Sequence, residues 1–138
     1  LWDVGKFYDS INMVEVCELG FRANFDVVVL ALAAQLHTAP RVLQAQECTS
    51  CLVCNIDTSA LAGESNSGRY AKLALHQILD EAQRRWMPHA PRSYVDDLSQ
   101  VIVGSADTVY RDIVESAHFI TTALSEAGFK VAAKSTII

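Results

Sequence analysis

Apolar residues along the chain follow two rhythms, and the points where one gives way to the other divide it into elements. "LWDVGKFYDSI" opens as a short strand running into a turn, with Asp9 or Ser10 as a helix cap. "NMVEVCELGF" reads as a short helix. "FDVVVLALAAQLHTAP" has a Val triplet that suits a strand, but its length and its Ala/Leu content predict a helix from Asn24 or Asp26 that stops before Pro40. "RVLQAQECTSCLVCNID" predicts two short strands around a polar turn at Cys48 to Ser50. In "SNSGRYAKLALHQILDEAQRRW", Leu73, Leu75, Ile78, Leu79 and Ala82 recur at helical spacing, with Pro88 beyond the end. "RSYVDDLSQVIVGS" predicts a hairpin with strands on either side of two aspartates. "ADTVYRDIVESAHFITTALSEAG" predicts a long helix with the stripe Ile113, Val114, Ala117, Ile120 and Leu124, stopped at Gly128, and "FKVAAKSTII" a last strand. Strand, helices, hairpin, helix, hairpin, helix, strand is the order of an α+β layer: an antiparallel sheet with helices packed on one face.

Composition narrows the picture. The 138 residues are 51% hydrophobic and 20% charged, in the range of one globular domain with a modest core. No repeat, linker or low-complexity tract interrupts it, and no run approaches the ~20 apolar residues of a membrane span. The chain begins at Leu1 and ends within the apolar "KSTII", so it is expected to be a fragment of a longer protein. A net charge of −5 argues against a free-standing nucleic-acid binder, which carries a basic face. It is compatible with the acidic centre of a larger nucleic-acid enzyme. Four cysteines and no secretory signal suggest reduced thiols and an intracellular setting, nuclear or cytoplasmic.

The hairpin raises the question of chemistry. Two adjacent carboxylates, Asp96 and Asp97, stand among Tyr94, Val95 and Leu98. Asp is common in tight turns for local reasons, and a turn alone accounts for the dipeptide. Burying two such charges side by side is costly unless a cation compensates them. Asp3 lies in a second strand-like apolar setting, "WDVGKFYDSI". If the two strands are neighbours, Asp3 and Asp96 face each other and can share hard divalent cations.

"DVGKFYDSI", a Gly/Ser-rich turn opening a helix, "YVDD" and "GFKVAAKS" together resemble the palm of reverse transcriptases, most closely those of non-LTR retrotransposons. The likeness covers nearly the whole chain, residues 1–138, with fingers and thumb absent. It implies the polymerase palm, a ferredoxin-like split βαβ layer, and template-directed nucleotidyl transfer: DNA synthesis on an RNA template by a two-metal mechanism. Its cofactor would be Mg²⁺, with Mn²⁺ as the substitute. Its partners would be an RNA template, a DNA or RNA primer, deoxynucleoside triphosphates and the rest of a parent polyprotein, with no membrane. By the same likeness Asp3, Asp96 and Asp97 hold the metal, supplemented by the Val4 carbonyl. Lys134 serves the departing pyrophosphate, and Tyr94 lies near the primer end. Tyr8 lies under the incoming sugar and favours deoxynucleotides, while Gly63 and Ser65 lie in the nucleotide-binding turn.

The third block departs from the family. Where its members read proline, glutamine, glycine, serine, this chain has "LAGESNSG", with Ala62 at the glutamine position and Glu64 adding a negative charge. A catalytically inactive relic or nucleic-acid-binding scaffold with the palm fold is therefore the alternative. An RNA-copying RNA polymerase fits less well, because such enzymes carry glycine before the paired aspartates and lack the aromatic at Tyr8. Cys48, Cys51 and Cys54 in "CTSCLVC" suggest part of a zinc or iron–sulfur ligand set, but the fourth-ligand candidates Cys17, His37 and His76 are scattered.

Overall fold

The computed structural model describes residues 1–45, 48–53, 56–87 and 89–135, with backbone only for 43–45 and 48–53. β1 (Trp2–Gly5) leads into a one-turn helix α1 (Phe7–Ser10), then α2 (Met13–Arg22) and α3 (Val27–Thr38). The hairpin β2 (Arg41–Ala45) and β3 (Cys48–Val53) precedes α4 (Ser67–Arg85). A second hairpin, β4 (Arg92–Tyr94) and β5 (Asp97–Ser99), is followed by α5 (Ala106–Glu126) and β6 (Lys130–Val131). Apart from the one-turn α1, where a turn is expected, the order of elements is the one the apolar rhythm predicts.

The main sheet has the order β4-β5-β1-β6, and each neighbouring pair is antiparallel. Side chains alternate across its faces. Trp2, Val4 and Leu98 point into a core shared with Leu75, Ile120 and Leu124 of α4 and α5, and Phe7 stacks on Phe129 at 5.2 Å. The opposite face carries Asp3 and Gly5 and is only half covered. The fold is therefore the α+β layer of an antiparallel sheet with helices on one face, and β2–β3 forms a separate two-stranded ribbon.

Local chemistry explains most boundaries. Asn12 caps α2, its Oδ1 accepting the N–H groups of Val14 and Glu15, so Asp9 and Ser10, predicted as caps, lie inside α1 instead. Asp26 caps α3 in the same way and Gly128, at φ 80°, ends the turn after α5. A Cβ on Gly20 would lie 2.8 Å from the end of the Leu30 side chain, so glycine lets α2 and α3 cross closely without moving that side chain. α3 is apolar all round. It buries Leu30, Ala33 and His37 and turns Val28, Leu32 and Leu36 outward.

Further expectations are corrected. The turn predicted at Cys48 to Ser50 is strand, because β3 begins at Cys48. The run Val101–Val103 is not a strand: β5 stops at Ser99, opposite Arg92, the first residue of β4, and Pro91 before it has no N–H to extend the ladder. The last strand is two residues long, and the chain turns at Ala133 and Lys134. On α5, Ser116 takes the buried position and Val114 faces outward. Cys48 and Cys51 lie on β3, Cys54 and Pro88 outside the described residues.

Candidate active site

The open face of the sheet gathers carboxylates from distant parts of the chain. β1 pairs with β5 so that Trp2 stands opposite Leu98 and Asp3 opposite Asp97. Directly opposed residues on antiparallel strands share a face, with Cβ atoms about 5 Å apart, and like charges there repel. The Val4 N–H donates to the Asp96 carbonyl at 3.1 Å, which fixes Asp96 beside the end of β1. The register thus puts Asp97 directly across from Asp3, with Asp96 one residue earlier in the hairpin turn, beside Val4.

A cation meets the repulsion. Lys134 Nζ lies 3.0 Å from Asp3 Oδ1. The Asp3 hydrogen bond and charge, with Asp97 and Asp96 behind it, hold the ammonium pKa above the ordinary lysine range. Two backbone ties fix this corner. The Asp3 N–H donates to Ser135 Oγ at 3.0 Å and the Ala132 N–H donates to the Asp3 carbonyl at 2.8 Å. Asp3, Asp97 and Lys134 thereby come together on one face, whereas Asp96, expected opposite Asp3, stands one residue away in the adjoining turn.

The turn that presents Asp96 is strained. Val95 has φ 56°, a left-handed conformation that a β-branched residue adopts only at a cost. Lys6, just after β1, has φ 53°. Such outliers cluster where a fold holds functional groups in place. Beside the turn the Tyr94 ring is 82% exposed, opposite Asp97 in the register.

The loop before α4 is tied to the same end of the sheet. The Ala60 N–H donates to the Tyr8 carbonyl at 2.8 Å, and the Ser59 N–H to the Ile11 carbonyl at 3.0 Å. Half-buried Tyr8 packs against the core, edge-on to Phe7. Gly63 has φ 88°, so the turn needs glycine for its backbone. Glu64, the residue out of keeping with the family, has its charge taken up locally. Its carboxylate accepts from the Asn66 N–H at 2.8 Å and from Ser65 Oγ at 2.9 Å. Burial works against its ionised form, but those bonds and the Asn66 side chain outweigh it and hold the pKa below the usual carboxylate range. A negative charge just ahead of α4 also suits the helix dipole. The Ser65 hydroxyl is thus engaged with Glu64, at an exposed position.

Sequence spacing missed His37. It is buried in the core, its Nδ1 accepts the Leu61 N–H at 2.9 Å, and its ring meets Tyr70 edge-on. Arg41 adds a bond to the His37 carbonyl at 2.8 Å and one to Ser59 Oγ at 2.9 Å. This pair anchors the loop carrying Gly63. A histidine in an apolar helix with no partner at ligand spacing gives no sign of such a role.

Among the described residues no group of three or more His, Cys, Asp or Glu is arranged to hold a metal. Mg²⁺ does not require such a cage, since it is bound by one or two carboxylates together with waters and substrate phosphates. Hard oxygen donors at Asp3 and Asp97 on one face, with Asp96 adjacent, fit that mode. No helix among the described residues is long and apolar enough to cross a membrane. Comparison of the chain with protein-family models, curated proteins and solved structures finds no match.

Proposed function

We propose that this chain is the palm of an RNA-directed DNA polymerase of retrotransposon type, performing template-directed nucleotidyl transfer. The observation that carries it is the pairing of β1 with β5, which sets Asp3 opposite Asp97 while Lys134, from the other end of the chain, bonds to Asp3. No local turn requirement brings Asp3, Asp97 and Lys134, from three separate parts of the sequence, together on one half-open sheet face.

In this reading Asp3, Asp96 and Asp97, with the Val4 carbonyl, hold Mg²⁺ or Mn²⁺. Bound there, the metal supplies charge neutralisation for in-line displacement at phosphorus. The primer 3′-hydroxyl oxygen forms the new bond to the α-phosphorus of a deoxynucleoside triphosphate, the bond to pyrophosphate breaks, and the hydroxyl proton passes to solvent. Lys134, an ammonium bound to Asp3 with its pKa raised by that bond, faces the departing pyrophosphate and can neutralise or protonate it. Tyr8 bounds the sugar, the Gly63–Ser65 turn lets the nucleotide approach the backbone, and Tyr94 meets the primer end. The RNA template, the primer and the rest of a parent polyprotein are the partners this activity needs, in a nuclear or cytoplasmic setting.

The test is Mg²⁺-dependent primer extension on an RNA template by a chain that includes the flanking segments, compared with Asp3→Asn and Asp96→Asn. Each substitution is expected to lower extension by at least about a hundredfold, the scale of losing one preorganised electrostatic group, with the circular-dichroism spectrum unchanged. No extension by the unsubstituted chain would leave an inactive palm-fold scaffold, in which Lys134 and Asp3 are a static ion pair, and extension that survives both substitutions would remove these aspartates from the catalytic role.

A further inference from the structure

The corner at which β6 gives out is closed by Ser135. β1 and β6 pair Val4 with Val131 and Gly5 with Lys130, so the next pair in that register is Asp3 with Ala132. The Ala132 N–H donates to the Asp3 carbonyl at 2.8 Å, which marks a pair that exchanges two hydrogen bonds in a regular antiparallel ladder. The return bond would run from the Asp3 N–H to the Ala132 carbonyl. That carbonyl instead accepts the Ser135 N–H at 3.0 Å, closing a turn with Ala133 and Lys134 at its centre. The Asp3 N–H donates to the Ser135 hydroxyl, also at 3.0 Å. Ser135 thus completes both halves of the broken pair, its N–H serving Ala132 and its Oγ serving Asp3.

The break decides where Lys134 stands. In a continued ladder it would lie opposite Leu1, two positions beyond Asp3, and diagonal neighbours of that kind are about 7–8 Å apart. In the turn its Nζ is 3.0 Å from Asp3 Oδ1. The Lys134 side chain is 73% exposed, so packing does not hold it there. An exposed pair of this kind is too weak to fix its own geometry, because holding a long side chain in place costs about as much as the attraction returns. The backbone on either side must set it. The Ser135 hydroxyl joins those two stretches of backbone, tying the residue after Lys134 to the residue whose carboxylate Lys134 meets.

We propose that Ser135 is a positioning residue: by holding the Asp3 N–H on its hydroxyl while its own N–H closes the turn, it seats the Lys134 ammonium on the Asp3 carboxylate. The inference rests on the polymerase reading for what that pair does, with Lys134 toward the departing pyrophosphate and Asp3 toward the metal. The placement itself is tested without catalysis.

The first measurement is the proton–carbon NMR correlation spectrum of the 138-residue chain in EDTA. The two Hε protons of Lys134, assigned by their loss in Lys134→Met, have separate shifts in a fixed side chain and one averaged shift in a free one. The parent is expected to show them split. In Ser135→Ala and in Asp3→Asn they should merge, while Ser135→Thr, which keeps the hydroxyl, should retain the split. Ile120→Val trims the buried core away from this turn and lowers stability, and it should retain the split as well. A split that is absent from the parent, survives in Ser135→Ala, or is lost in Ser135→Thr or Ile120→Val would overturn the proposal.

Primer extension by the chain with its flanking segments then ties the placement to the reaction. Ser135→Ala is expected to lower kcat at least about tenfold while KM for the deoxynucleoside triphosphate stays within about twofold, as for a group misplaced in the transition state alone. In the Lys134→Met protein the same substitution should cost nothing further, and an equal loss there would overturn the proposal. Splits that respond as expected in a chain that extends no primer would leave Ser135 its role and remove the polymerase reading. Extension by a chain whose split ignores Ser135 would do the reverse.

Discussion

Because His37 Nδ1 accepts the Leu61 N–H, the ring carries its proton on Nε2 and is neutral. Burial among α3, α4 and the loop pushes its pKa below the ordinary histidine value, with Arg41 acting in the same direction and Glu64 against it. The unfolded chain titrates near pH 6.5. Below that value it takes up a proton that the folded protein refuses, so stability is intact above about pH 6.5 and is lost as pH falls through the lower folded value. Glu64, also depressed, loses its contribution in a lower window, below its unfolded value. Thermal unfolding at pH 7.5, 6.5 and 5.5 should therefore show a falling Tm in the parent. His37→Asn keeps an acceptor at the δ position for Leu61, and it should be less stable throughout yet flatter with pH. An equal slope in the two proteins would place the titrating group elsewhere than His37.

At the scale of elements, what could be read from sequence was the type and order of each hairpin and of every helix but the one-turn α1. A 3.6-residue stripe such as Leu75, Ile78, Leu79 and Ala82 needs no partner to be recognised. Strand length and register were not legible in the same way, because the neighbour decides them. Val101–Val103 has strand composition but nothing to pair with, and whether Asp96 or Asp97 faces Asp3 depends on where the Val95–Asp96 turn closes. That turn is testable. Relieving the left-handed conformation at Val95 with glycine should return about 1–2 kcal/mol. Added freedom of the unfolded chain, about 0.4–1 kcal/mol, and lost packing of a half-buried side chain oppose it. Val95→Gly is therefore expected to unfold within about 1 kcal/mol of the parent in urea, whereas Leu98→Ala, three residues on in the core, should cost about 2–5 kcal/mol. If Val95→Gly proved as costly as Leu98→Ala, the turn would be an ordinary packed position, and one support for a functional hairpin would go.

Over the whole molecule, the site is a charge balance struck between the two ends of the chain. Asp3 and the hairpin aspartates were recognisable as a candidate set from four short blocks in order. The bond from Lys134 to Asp3 was not, because it depends on β6 ending after two residues and turning the chain back across β1. The same bond makes a divalent cation measurable without turnover. If Mg²⁺ binds the folded chain alone, it stabilises it by mass action, about 1.4 kcal/mol at ten times its Kd, or roughly 3–6 °C in Tm for a domain of this size. Asp3→Asn should abolish that shift, and Asp57→Asn, in an exposed loop, should retain it. Lys134→Met separates the two cations. In EDTA it leaves the opposed carboxylates without their ammonium, so it should melt below the parent. In Mg²⁺, with no ammonium to displace from Asp3, it should gain more than the parent does and close the gap. A Lys134→Met protein that melts lower in EDTA and gains nothing from Mg²⁺ would mean that lysine is the resident cation of this face, and that the metal reading is wrong.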